Sequence, residues 1–71
     1  LQLPIENFSS RLARIQALAL ETFGDEEKAR SWMSKSLRQL GRRTPLQMLD
    51  TELDAREVET ILGRIAHGIA A

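Results

Sequence analysis

The stretch Leu40–Thr51, LGRRTPLQMLDT, decides how this chain is read. Thr44 and Gln47 stand three residues apart, the spacing at which each side chain can bond the other's backbone N–H at a helix start. Pro45 sits at the first helical position, where its missing N–H costs nothing. Gly41 lets the chain turn just before. The spacing predicts a short helix at about 45–49, with Leu46 and Leu49 turned inward. Such a specified start makes a rigid corner between longer helices.

On the C-terminal side of this corner, Thr51 and Asp54 compete to cap the next helix, Asp54 with Glu57 at capping-box spacing. Val58, Ile61, Leu62, Ile65 and Ile69 form one apolar face of that helix. Gly68 is read as its end, with Ile69, Ala70 and Ala71 as a short apolar tail. On the N-terminal side, residues 35–43 form a basic connector anchored by Leu37 and Leu40. Before it, Asp25 caps a helix at about 26–34, with Glu26 and Glu27 in the first turn and Ala29, Trp32 and Met33 facing inward. The first helix is expected at about 4–23: Ile5, Phe8, Leu12, Ile15, Ala19 and Thr22 make a stripe, which Leu18 and Phe23 widen. Pro4 suits its first turn and Gly24 its end. There is one valine, no tyrosine and no alternating run, so strands are not expected. The fold class is therefore all-α: a small bundle of three longer helices plus one short helix, as a single domain over residues 1–71.

Composition narrows the function. Hydrophobic residues make up 42% and charged residues 28%, as in an ordinary globular domain. No apolar run approaches the ~20 residues that span a bilayer, so no membrane partner is expected. The absence of cysteine leaves no disulfide or thiolate metal site and fits a cytoplasmic protein. A core this small is marginal by itself, so a second chain would add stability.

Chemistry is sparse. His67 is the single histidine, and near a helix end it suits contact with the last carbonyls better than a metal site or a nucleophile's base. No glycine-rich phosphate loop and no recognisable carboxylate pair occur. The chain reads as non-enzymatic, with no cofactor and no metal. Trp32 reads as a core anchor, and Met33 and Met48 as gap-fillers.

The zero net charge hides two blocks. Lys28, Arg30, Lys35, Arg38, Arg42 and Arg43 are uninterrupted by any acid, whereas Asp50–Glu59 holds five acids and one base. The plain reading is that these blocks pair with each other as solvated faces. An alternative is a small helical DNA-binding module using the basic block, although no aromatics interleave it. The spacing of the first helix also fits a seam between two copies, making a homodimer a further alternative.

Three segments, FGDEEKARSWM (Phe23–Met33), LGRRTPLQMLDT (Leu40–Thr51) and ILGRIAHGIAA (Ile61–Ala71), together resemble the toxin-binding domain of Xre/MbcA/ParS-type antitoxins in order and spacing. The resemblance covers about residues 10–71. It implies a helical domain that binds a RES-type toxin, a class that consumes NAD, and blocks its active-site cleft. It also implies that operator DNA is contacted only by an N-terminal helix-turn-helix part missing from this sequence. Carried onto this chain, the toxin-binding residues are Arg64, His67, Gly68, Ile69, Ala70 and Ala71, the last through its terminal carboxylate, an anion suited to groups that hold a dinucleotide's phosphates. Gly41, Thr44, Pro45 and Trp32 are implied as structural motif residues. The chain departs from the family pattern at Ser36-Leu37, where Pro-Asn is frequent, at Arg42, where a second glycine is frequent, and at Asp54, where many members have glycine.

Overall fold

The computed structural model describes residues 7–70, with side chains through residue 68. In chain order it has α1 (Phe8–Phe23), α2 (Glu26–Met33), a 3-10 turn at Arg38–Leu40, a second at Gln47–Asp50, and α3 (Glu52–Ala70). Among the described residues there is no strand, only an isolated antiparallel bridge between Leu37 and Arg43. The all-α expectation holds. The fourth, short helix expected at about 45–49 is a 3-10 turn at Gln47–Asp50.

Local chemistry sets the helix ends. α1 starts at Phe8, not residue 4, because Asn7 is an extended cap. Its side chain accepts from the Ser10 N–H at 2.9 Å, and Ser10 Oγ accepts from the Asn7 N–H at 3.1 Å. Pro4 and Ile5 lie outside the described residues. Gly24 closes α1 in the left-handed region (φ 67°), its N–H donating to Leu20 O at 2.8 Å. Asp25 then caps α2 by accepting from the Lys28 N–H at 3.0 Å.

The connector is held by its own backbone. Leu37 O accepts from Leu40 N and Arg42 N, while Leu37 N donates to Arg43 O. Gly41 ends the first 3-10 turn at φ 65°, and Arg42 follows at φ 68°. A side chain at that φ crowds the following carbonyl, a cost of about 1–2 kcal/mol. The Arg42 carbonyl is fixed in place by a hydrogen bond from Ser36 Oγ.

The corner forms as its residues dictate. Gln47 Oε1 accepts from the Thr44 N–H at 2.8 Å, and Thr44 Oγ1 from the Gln47 N–H at 3.1 Å. Pro45 is fully buried. Leu46 is not turned inward as its spacing suggests. Its N–H is committed to Met33 O at 3.1 Å, and its side chain, 39% exposed, lies along a groove between α1 and α2. Met48 and Leu49 fill the core instead. Thr51 wins the contest for the α3 cap, accepting from the Asp54 N–H at 3.1 Å.

The core joins Ile15 and Ala19 of α1, Ala29 and Met33 of α2, Leu40, Met48 and Leu49 of the turns, and Ala55, Val58 and Leu62 of α3. Leu12, Leu18, Phe23, Trp32, Leu37 and Ile61 pack around it. Trp32 is half-buried, its ring 5.8 Å from that of Phe23, a tilted pair. Phe8, expected on the stripe, is 42% exposed. The place one turn before Ile15 belongs to Arg11, which is buried. Its Nε donates to Leu49 O at 2.7 Å and a terminal nitrogen to Asp50 O at 2.8 Å. These carbonyls end the second 3-10 turn and have no onward helical partner, so the guanidinium serves as their cap.

Two outcomes follow for the stability of the chain. Replacing Arg11 with alanine removes two charge-assisted bonds and orphans both carbonyls, so urea unfolding should show a loss of about 2–4 kcal/mol. Arg42→Gly relieves the left-handed strain and should raise stability by about 1 kcal/mol in the same assay.

Candidate partner-binding surface

Among the described residues, full burial along α3 ends at Leu62. Ala55, Val58 and Leu62 are at most 2% exposed, whereas beyond Leu62 no described side chain is buried. Ile65 and Ala66 are half-buried; Gly63, Arg64, His67 and Gly68 are exposed. Gly68 does not stop the helix, which runs on to Ala70. A glycine ends a helix where it takes positive φ, as Gly24 does; Gly68 keeps a helical backbone instead. The expected tail is thus helical at Ile69 and Ala70, and Ala71 lies outside the described residues.

Helical spacing gathers the predicted residues. Arg64, His67 and Gly68 are three and four residues apart, so they share one face of α3, the side away from Leu62. Neither Arg64 nor His67 has a hydrogen bond or ion pair among the described residues. His67 stands exposed in the final turns of α3. Arg64 also borders a shallow groove of about 360 Å³ with Gln39, Glu57 and Ile65.

The base of α3 is fixed by charge. Arg14 of α1 reaches Glu52 at 3.0 Å and Glu59 at 2.9 Å, and Arg56 also meets Glu52 at 3.2 Å. These groups are about a third exposed or more, so each pair contributes roughly 1 kcal/mol at most, but together they hold α1 and α3 in register. The two charge blocks do not simply pair with each other as expected. Among the described residues one contact joins them, Arg43 to Asp54 at 3.7 Å, because Arg14 takes Glu52 and Glu59. Lys28, Lys35, Arg38 and Arg42 are left exposed.

The motif residues play a different part. Gly41, Thr44 and Pro45 build the corner, and Trp32 covers one edge of the core; none of them belongs to the exposed end of α3. The groove between α1 and α2, about 420 Å³, is lined mainly by Ala17, Leu20, Ala29, Met33 and Leu46 and brings no catalytic set together. Among the described residues no group of histidine and carboxylates could hold a metal, and no helix is long and apolar enough to cross a membrane. Arg11 and Arg14 escaped the sequence reading. The available signal was the 11-15-19 spacing, in which an arginine occupies a core place.

Exposed side chains without an ion pair among the described residues should be dispensable for folding. Arg64→Ala and His67→Ala should each shift unfolding free energy by less than about 0.5 kcal/mol in urea titrations. A larger loss in either would mean that the residue supports the bundle.

Comparison with known proteins agrees with this layout. The model of the family described as the antitoxin Xre/MbcA/ParS C-terminal toxin-binding domain matches residues 18–68. A protein named Antitoxin Xre from Photorhabdus laumondii is 44% identical over 63 residues, covering 87% of this chain and 43% of the relative. Proteins of the same name from Yersinia enterocolitica and Pseudomonas putida are each 41% identical, covering 84% and 82% of this chain and 41% and 36% of theirs. The chain thus spans less than half the length of these relatives. With most of its length matched by the family model and with these relatives, the chain belongs to the Xre/MbcA/ParS antitoxin family through its C-terminal toxin-binding domain.

Proposed function

We propose that this chain is the toxin-binding part of an antitoxin, and that it silences a RES-type, NAD-consuming toxin by placing the end of α3 in the toxin's active-site cleft. The observation that carries this reading is that α3 continues to Ala70 while Leu62 is the last buried side chain among the described residues. A helix end with little packing of its own is marginal in water, and a cleft that surrounds it supplies further burial. Its base is clamped by Arg11 and Arg14, so the end is aimed rather than free to wander. A preformed element loses less entropy on binding than a floppy one.

The residues assigned to the toxin are Arg64, His67, Gly68, Ile69, Ala70 and Ala71. Arg64 places a cation on this face, suited to a carboxylate at a cleft's rim, and His67 adds an exposed imidazole beside it. Operator DNA would be contacted by a helix-turn-helix part outside this chain. The site of action is the cytoplasm, where NAD is consumed. A second copy bound along α1 is compatible with this arrangement, since the end of α3 stays open.

Deleting Gly68–Ala71 tests the plug directly. The shortened chain should keep its fold, because Ala55, Val58 and Leu62 of the α3 core all remain, yet it should no longer protect NAD when mixed with the toxin. Full protection by the shortened chain would rule out a plug at this end.

A further inference from the structure

Gly63 has no packing role among the described residues. It lies in the interior of α3, is exposed, and a Cβ built there would meet nothing within 4 Å among the described residues. Its φ is not positive, unlike those of Gly24 and Gly41, so no turn requires it. Glycine in a helix interior lowers stability relative to alanine, because it gains no packing and loses more chain entropy on folding. Nothing in the fold offsets that loss at Gly63.

Resting on the function proposed above, we infer that the toxin's main chain packs directly against α3 at Gly63, so that a side chain at this position would hold the two backbones apart. Glu59, Gly63 and His67 are four residues apart and lie along one flank of α3. Glu59 is held at 2.9 Å by Arg14, so one end of this flank is already fixed. His67 stands exposed at the other end, and Gly63 between them leaves the helix surface flat. Backbones can meet closely over such a gap, with Cα–H groups facing carbonyl oxygens. The occupant is the toxin rather than a second copy. This flank is continuous with the Arg64, His67 and Gly68 face assigned to the toxin, and the matched toxin-binding region runs through residue 68.

The inference gives stability and binding opposite signs. Gly63→Ala in the 71-residue chain should raise the urea midpoint and the helical circular-dichroism signal. Calorimetric titration with the RES-type toxin should show affinity weakened tenfold or more, and Gly63→Leu should remove binding while the chain remains folded. Affinity of Gly63→Ala within twofold of the unmodified chain, or tighter, overturns the inference, as does a loss of self-association with toxin binding intact. If the unmodified chain neither binds the toxin nor protects NAD, the proposed function fails and takes this inference with it. If it does both and Gly63→Ala does too, only the close approach at Gly63 is refuted.

Discussion

The buried guanidinium of Arg11 is the contact on which the arrangement depends. An α-helix that follows a 3-10 turn across a corner begins beside carbonyls that have no helical partner. Here those carbonyls, of Leu49 and Asp50, lie next to α1, and Arg11 donates to both at 2.7 and 2.8 Å. A charge in the core is costly unless its hydrogen bonds are made, so this one favours a narrow geometry between α1 and the start of α3. Arg14, one turn on, holds Glu52 and Glu59 and continues the alignment along α3. The direction of α3, and with it the position of its unburied end, follows from two arginines on a different helix.

The corner and the connector serve the same end. Pro45 and Leu49 are buried beneath the turn, and Leu46 ties it to α2 through Met33 O. α1 packs against α2, α3 and the second 3-10 turn, so strain at one junction is felt at the others. The tolerated strain at Arg42 is consistent with this, since the surrounding bonds of Leu37, Arg43 and Ser36 over-determine its backbone.

Much of the fold was legible because helix ends are local. Asp25 with Lys28, Thr44 with Gln47, and Gly24 and Gly41 act within three or four residues, so spacing alone locates them. The misses share a cause. Arg11 looks like a solvated cation until the carbonyls it caps, 38 and 39 residues away, are in place. Leu46 follows helical spacing, but its backbone is claimed by Met33. Gly68 carries a stop signal that holds only at positive φ. For the site, Arg64, His67 and Gly68 were named from family resemblance. That they share an exposed face follows from the continuation of α3 through Gly68, which glycine content alone argued against.

The end of α3 is held in direction from its base, and beyond Leu62 its described side chains are at most half-buried; in the function proposed above a toxin covers them. Amide hydrogen exchange, residue by residue, measures this most directly. In the free chain, residues 63–70 should exchange far faster than 55–62, and saturating RES-type toxin should slow them strongly while leaving 11–19 little changed. Equal protection of 63–70 and 55–62 in the free chain, or no slowing of 63–70 with toxin bound, would contradict the account.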